Sequence, residues 1–250
     1  MPLLTADGVY KRYGGVTAVA GVSLSIVRGE CVGVIGSNGA GKTTLFQLLT
    51  GFEHPDEGQI FLYPHSKGQD AGRKSGGIAV HTSQAHRLAR AGVGRTFQNL
   101  RLFEELTARE NIQVAILSLR ITSFDVDALL KELGLASAAD TMVCSLPYGT
   151  RKLCELGRAV AVASSGCGLL FLDEPCAGLC ESESEALVYL LKDLKSRYGL
   201  TLFVIEHHMS FVQTLCDRLY AMDQGKIIAQ GAPQQVFMDA AVKQLILGTI

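Results

Sequence analysis

The glycine-rich stretch at residues 36–43 restricts the possible folds of this chain more than any other feature. It reads Gly-Ser-Asn-Gly-Ala-Gly-Lys-Thr and fits the pattern G-x-x-x-x-G-K-[ST]. The apolar run Cys31–Ile35 precedes it and is typical of a strand buried on both faces. A helical pattern of leucines follows and closes at Gly51. The order strand, loop, helix predicts a phosphate-binding loop and disfavours the alternative, a glycine-rich turn with an incidental Gly-Lys-Thr.

Each part of this stretch suits the binding of a nucleotide's phosphate chain. Glycines allow successive backbone N–H groups to point at phosphate oxygens, and the start of the helix adds its positive dipole end. Lys42 is expected to contact the β- and γ-phosphates, and the Thr43 hydroxyl is expected to ligate Mg²⁺. ATP and Mg²⁺ are therefore the predicted ligands. The predicted nucleotide-binding residues here are Gly36, Ser37, Asn38, Gly39, Ala40, Gly41, Lys42, Thr43 and Thr44.

A second apolar run, Leu169–Leu172, ends in the acidic pair Asp173 and Glu174. At the end of a neighbouring strand, Asp173 would hold Mg²⁺ through water, and Glu174 would orient and polarise the attacking water. Positioning and electrostatic stabilisation are the larger part of phosphoryl transfer. The pair on its own could equally be a helix N-cap with first-turn charge. Together with the phosphate loop, it favours a catalytic interpretation.

The segments around these motifs predict an α/β fold, a P-loop NTPase (RecA-like) core with a mostly parallel sheet covered by helices on both sides. Residues 3–13 and 22–26 are predicted antiparallel strands of an N-terminal β subdomain. A helical pattern between residues 102 and 145 predicts an inserted helical subdomain, and much of 64–92 is predicted to be loop. The expected organisation is one domain over 1–250, with 1–98 and 146–250 as nucleotide-binding core and 99–145 as helical subdomain.

Charge, hydropathy and cysteine content restrict the possible partners. The formal charge of −1 provides no general field for nucleic acid, so no nucleic-acid partner is expected. No stretch approaches the roughly 18 apolar residues of a membrane helix, and the N-terminal residues lack a secretory signal pattern. Work at a membrane is therefore expected to require another chain. The seven cysteines form no CxxC pair and are expected to be reduced, mainly buried thiols of a cytosolic protein.

With these motifs in this order, the whole chain resembles the ATP-binding cassette (ABC) family. The resemblance implies that Gln98, in Arg-Thr-Phe-Gln, senses Mg²⁺ and water and links the core to the helical subdomain. It implies that His207, after an apolar strand, contacts the γ-phosphate, whereas His208 is a bystander. Tyr13 matches the aromatic residue that stacks on adenine, with Val19 packing beside it. A core role for Tyr13 is the alternative.

Within that family, the chain is most similar to ATPase subunits of branched-chain amino acid importers and their urea or amide relatives. The resemblance rests on residues 94–98, 101–103, 107–111, 177–179 and 205–207, and on the ending near Leu247-Gly248. It implies a second ABC ATPase subunit, transmembrane permease subunits and, indirectly, an extracytoplasmic solute-binding protein as partners. The implied location is peripheral, on the cytoplasmic face of the inner membrane.

The chain departs from the family in the loop that one cassette lends to the other's ATP site. Where Leu-Ser-Gly-Gly-Gln is usual, residues 146–150 read Leu-Pro-Tyr-Gly-Thr. A tyrosine at the third position, here Tyr148, also occurs in the branched-chain relatives. Gly149 still allows the loop backbone to approach a phosphate closely. Pro147 removes a backbone N–H donor, Thr150 replaces glutamine, and Cys180 stands where Asp or Asn is usual.

These departures suggest a hypothesis: the chain works in a heterodimer in which the site completed by its own signature loop is the slower one. The competing interpretation is that the family tolerates this variation with full activity. Two other functions stay open at this stage. One is a non-transport cassette acting on a macromolecular machine, and the other is a regulatory cassette without hydrolysis, which the intact Glu174 and His207 disfavour.

Overall fold

The computed structural model describes residues 2–64, 77–97 and 100–247, in which a six-stranded sheet carries the predicted motifs. Four of its strands, in the order β3-β8-β7-β6, run parallel, and β9 lies parallel to β3 on the other side. Only β10, at the edge, is antiparallel. The strands are β3 (Cys31–Gly36), β6 (Val93–Arg95), β7 (Leu169–Asp173), β8 (Thr201–Ile205), β9 (Arg218–Asp223) and β10 (Lys226–Gly231).

Both faces of the central strands of this sheet are buried, and alternate residues of β3, β7, β8 and β9 enter two different hydrophobic cores. In β7, Leu170 and Leu172 enter one core while Leu169 and Phe171 enter the other. The second core contains helix α1 (Lys42–Leu49), whose Phe46 ring lies 5.5 Å from the Phe171 ring, edge to face. This two-sided burial explains the continuous apolar runs in the sequence.

A second, antiparallel sheet covers the α1 side of the molecule in the order β2-β1-β4-β5. Its long hairpin turns at Gly14-Gly15, and its strands are longer than the sequence predicted, because their ends alternate less clearly. The strands are β1 (Pro2–Tyr13), β2 (Val16–Val27), β4 (Glu57–Leu62) and β5 (Ile78–Ala79).

Residues 102–145, where the sequence predicts helices, contain α3 (Ala108–Leu119) and α4 (Val126–Glu132). Thr107 caps α3: its hydroxyl accepts the Glu110 N–H, while the Glu110 carboxylate accepts the Thr107 N–H.

Helix α5 (Tyr148–Ser164) packs against both this helical segment and the sheet. A Cβ atom on Gly157 would lie 2.9 Å from Ile112 of α3, and one on Gly94 of β6 would lie 2.1 Å from the Ala159 carbonyl oxygen. Glycine thus permits close packing on both sides of the interface. Because α5 is shared, the residue-146 boundary between the two parts stays a prediction.

The remaining helices flank the large sheet, and some of them differ from expectation. The predicted loop over 64–92 includes, in its described part, a short helix whose weak periodicity hid it. Helix α5 begins at Tyr148, the first residue after Pro147. The flanking helices are α2 (Ala85–Arg90), α6 (Glu181–Tyr198), α7 (Met209–Leu215), α8 (Pro233–Met238) and α9 (Ala240–Leu247).

Two expectations about the chain's environment can be compared with the described residues. Among them, no helix combines the length and apolar character that crossing a bilayer requires. All seven cysteines are free thiols. Five are buried as expected of small apolar side chains, whereas Cys144 and Cys180 are exposed.

Candidate active site

The glycine-rich loop between β3 and α1 curls into a cradle with the Lys42 side chain folded back across it. Lys42 is only 6% exposed, and its ammonium donates to the carbonyl oxygens of Gly36 and Ser37, each at 2.8 Å. Burial lowers the pKa of Lys42, and the nearby charges of Glu174 and Asp173 oppose that shift. A buried cation with two anionic neighbours is therefore positioned where the loop would receive phosphate.

Two glycines of the loop are required by close approach of other backbone segments. A Cβ atom on Gly41 would lie 2.0 Å from the Ala18 carbonyl oxygen of β2, and the residue has φ +95°. A Cβ atom on Gly36 would lie 2.2 Å from the Met222 carbonyl oxygen of β9. The loop thus packs between β2 of one sheet and β9 of the other. This packing holds the loop backbone in place in the ligand-free structure.

The predicted acidic pair stands at the end of β7, beside the loop. Asp173 is buried, and its N–H donates to the Thr96 hydroxyl at 3.3 Å. Burial, then the charge of Glu174, raises the pKa of Asp173 to about 6, although Arg95 and Lys42 pull it down. The oxygen atoms of Asp173 and Thr43 are hard donors of the kind that Mg²⁺ prefers, so this part of the site fits the predicted metal.

Glu174 has a left-handed backbone conformation, with φ +46°, which side-chain-bearing residues seldom adopt. Its N–H donates to the Ile205 carbonyl oxygen at 2.9 Å, which ties it to the end of β8. Strained backbone of this kind persists where the surroundings over-determine it, and it concentrates at functional sites. The conformation directs the carboxylate toward the loop that follows β8.

That loop contains His207, as the sequence predicted, and its ring meets Glu174. The His207 Nε2 atom lies 2.8 Å from the Glu174 Oε1 atom. The neighbouring His208 is exposed, and its Nδ1 atom contacts only the Ser210 hydroxyl among its side-chain partners in the described chain. The bystander role of His208 stays a prediction.

Sequence reasoning missed the role of Glu206, which is 3% exposed and lies at the base of this site. Its carboxylate accepts three backbone N–H groups, from Cys176 at 2.7 Å, His207 at 2.7 Å and His208 at 3.0 Å. An acid directly after the apolar strand at 201–205 was an available signal, of the same form as Asp173 after Leu172.

Tyr13 lies at the end of the β1–β2 hairpin and is 46% exposed, so it is not a core tyrosine. Val19 is fully buried in the core under that hairpin, which contradicts the predicted contact between Val19 and adenine. The register explains the error: Val16, 67% exposed, lies opposite Tyr13, whereas Val19 lies opposite Lys11. Side chains alternate between faces along a strand, and Val19 is on the inner one.

The signature-loop residues Tyr148 and Gly149 lie at the start of α5, and Gly149 lines a cavity that Asp173 and Glu174 also line. Tyr148 is 50% exposed, and no heavy atom lies within 4 Å of the place where a Cβ on Gly149 would stand. Pro147 occupies the N-cap position, without a side-chain cap for the helix. The predicted Gln98 lies outside the described residues.

Comparisons with known proteins agree with this geometry. A family profile described as ABC transporter matches residues 19–177. The chain is 35% identical over 266 residues to the high-affinity branched-chain amino acid transport ATP-binding protein BraF of Pseudomonas aeruginosa, covering 99% of this chain and 98% of BraF. The corresponding LivG protein of Escherichia coli is 36% identical over 267 residues, with the same coverage of 99% and 98%. A solved ATP-binding cassette of an ABC transporter, in its ADP conformation, gives a TM-score of 0.80 at 27% identity and covers 99% of both chains.

Proposed function

The chain belongs to the ABC transporter family as an ATP-hydrolysing cassette, and we propose that it powers an importer of branched-chain amino acids or related small polar solutes. The proposed solute class follows the names of BraF and LivG, which match this chain over almost its full length. A non-transport or regulatory cassette would not be expected to keep that similarity together with both Glu174 and His207.

The single observation that carries the proposed mechanism is the convergence of Lys42, Glu174 and His207 at one edge of the sheet. Their positions follow from β3, β7 and β8, which are neighbours and present their carboxyl ends at the same edge. Lys42 and the loop N–H groups would bind the phosphates. Glu174 would orient the attacking water and accept its proton, and His207, 2.8 Å from Glu174, would hold that carboxylate in place.

Thr43 and Asp173, with Gln98, are the proposed Mg²⁺ ligands. When bound, the ion would neutralise charge on the β- and γ-phosphates. Thr43 is exposed at the mouth of the cradle, and Asp173 is close enough to Lys42 for its charge to oppose the lowering of the lysine pKa by burial. Tyr13 is proposed to stack on the adenine, since it is exposed on the hairpin whose second strand touches Gly41.

ABC cassettes act in pairs together with membrane subunits. We propose one surface of this chain as the place where a membrane subunit binds. A groove of about 340 Å³ lies between α2, α3 and α5, where the core meets the helical segment. Phe52, 46% exposed, and Phe97 form its aromatic side, and Arg95 lies between their rings at 3.8 Å and 4.1 Å from the centroids. The groove lies where the core meets the helical segment, and these two parts would move relative to each other when ATP binds. Apolar side chains at such a junction would suit a membrane subunit that follows this movement.

Uptake in cells tests the proposed solute class directly. We expect cells whose only copy of the chain carries Lys42→Ala to lose uptake of labelled leucine, isoleucine and valine at low external concentration, because the importer would lack its energy source. Uptake of an unrelated solute, such as a sugar, serves as the control. Unchanged uptake of all three amino acids would show that the solute class is wrong, while ATP turnover of the purified chain would still report on the cassette itself.

A further inference from the structure

The segment Pro175–Ala177, here called the bridge segment, directly follows Glu174 and is anchored from two opposite sides. We propose that the two anchors, Glu206 and Lys152, are positioning residues for ATP hydrolysis: they fix the bridge segment and thereby hold Glu174 against His207. The proposal rests on the function proposed above for Glu174 and His207.

The first anchor is the Glu206 carboxylate, which joins the bridge segment to the loop that carries His207. One of its oxygens accepts the Cys176 N–H at 2.7 Å, and the other accepts the N–H groups of His207 and His208. Glu206 is almost completely buried, and hydrogen bonds to a buried charged acceptor are short and strong. A single side chain therefore sets the spacing between the two loops whose side chains meet at the Glu174–His207 contact.

The second anchor is the Lys152 ammonium, which reaches the bridge segment from helix α5. It donates to the Pro175 carbonyl oxygen at 3.0 Å and also to that of Ala177. Burial lowers the pKa of Lys152, with Cys176 and Glu206 among the neighbours that oppose the shift. The same ammonium lies 5.5 Å from the centroid of the Tyr148 ring, so this anchor begins beside the signature loop.

The need for two anchors follows from the backbone of Glu174. Its left-handed conformation is unfavourable for a residue with a side chain, and it will relax unless the residues on both sides are held. On one side, Glu174 is fixed by the end of β7 and by the hydrogen bond to Ile205. On the other side only the bridge segment can fix it, and a misplacement of about 1 Å at a catalytic group can lower a rate about 10²-fold.

Matched variants of the full-length chain test the proposal with MgATP. We expect Lys152→Met and Glu206→Gln each to lower kcat about 10- to 100-fold while ATP affinity stays within about twofold, because the described hydrogen bonds of both side chains go to the bridge segment and the His207 loop rather than to the phosphate loop. Lys152→Arg should recover most of the rate, since a guanidinium can donate to both bridge carbonyls. Lys195→Met is the control: it removes an ammonium paired with Asp217 at 2.9 Å, away from the bridge segment, and should leave kcat unchanged.

A double variant separates positioning from a general effect on folding. If Glu206 acts through His207, Glu206→Gln combined with His207→Ala should be no slower than His207→Ala alone. Unchanged kcat in Lys152→Met, parallel losses of kcat and ATP affinity, or multiplicative effects in the double variant would each overturn the proposal. If Glu206→Gln does not fold, the two Lys152 variants decide it. Absence of MgATP turnover by the wild type, or full activity of Glu174→Gln, would instead contradict the proposed function.

Discussion

In the proposed dimer, one region of this chain would contact its own ATP and a second region would contact the ATP of the other cassette. The two regions differ in the exposure and hydrogen bonding of their side chains. The own face comprises residues 36–43, Asp173, Glu174 and His207; it contains the buried Lys42 and Asp173 and the hydrogen-bonded pair Glu174 and His207, while Thr43 is exposed. The lent face, residues 146–150 and 177–180, presents Tyr148 at 50% exposure and an exposed Cys180. Its helix starts at a proline without a side-chain cap.

The difference indicates that this chain by itself positions the proposed catalytic groups of the own face. On the own face, hydrogen bonds within the chain already hold Lys42, Glu174 and His207, the groups proposed to bind phosphate and orient water, and such preorganisation is what electrostatic catalysis requires. On the lent face, Tyr148 and Cys180 are exposed and contact mainly neighbouring segments of their own surface, so its contribution would depend on the second cassette. Changes to the own face should therefore have larger effects than changes to the lent face.

The largest loss of ATP affinity is expected for Lys42→Ala, which removes the buried cation of the own face. Without it, the phosphates would lose a charged donor and the neighbouring carboxylates would repel them. We expect ATP affinity to fall at least about 100-fold, equivalent to about 3 kcal/mol. Equilibrium binding of ATP to the purified chain measures this, with Lys195→Ala as a control lysine. Retention of wild-type affinity would show that the cradle does not bind phosphate.

Glu174→Gln should leave ATP binding intact and lower turnover. The amide keeps the shape of the side chain but cannot accept a proton from water, so we expect turnover to fall about 10²- to 10⁴-fold. Single-turnover hydrolysis measures the loss. Glu181→Gln, which changes an exposed carboxylate at the start of α6, should hydrolyse ATP at the normal rate. A loss of less than about threefold would remove Glu174 from the proposed mechanism.

Asp173→Asn should stabilise the nucleotide-free chain even though it impairs the proposed metal site. The folded-state pKa of Asp173, about 6, is above its ordinary value of 3.8, so the ionised group destabilises the fold at neutral pH. That destabilisation is full above about pH 6 and disappears as the pH falls toward 3.8. At pH 7.5 we expect a gain of about 1–3 kcal/mol, or a rise in Tm of about 2–8 °C.

Thermal unfolding without nucleotide measures this gain, and Asp193→Asn provides the control. Asp193 is about half exposed and paired only with Arg197 among described residues, so its replacement should hardly change Tm. A decrease in Tm for Asp173→Asn at pH 7.5 would contradict the electrostatic explanation. A gain that is equal at pH 7.5 and pH 4.5 would do so as well.

The smallest effect is expected on the lent face, from Pro147→Ser. Serine restores an N–H group and supplies a hydroxyl that can cap α5. We expect ATP turnover of the assembled complex to rise about two- to fivefold, on the scale of one added hydrogen bond. Pro147→Ala, which restores the N–H alone, separates the two contributions. An unchanged or lower turnover would favour the interpretation that the family tolerates this loop with full activity.

Strands that appear in the sequence as uninterrupted apolar runs could be predicted. The runs 31–35 and 169–172 are buried on both faces and therefore read as uninterrupted apolar segments. The short strand at 93–95 and the helix at 85–90 were missed, because neither is long enough to show a period.

Details of the site depended on information that no local pattern contains. The contradicted contact of Val19 arose from strand register, since a shift by one position exchanges the inner and outer faces. Glu206 was missed because its partners, the N–H groups of Cys176, His207 and His208, belong to two loops that only the sheet brings together. The assigned roles of the site residues stay predictions until they are tested.

Helix α5 has a mechanical consequence. It is a continuous rod of 17 residues, about 25 Å long, with Tyr148 at one end and Ala159 packed against β6 toward the other. A continuous helix of this length would rotate as one rigid body rather than bend in its middle. If α3 and α4 tilted relative to the sheet, a rigid α5 would carry the signature loop with them, and a small rotation near the sheet would become a larger displacement at Tyr148.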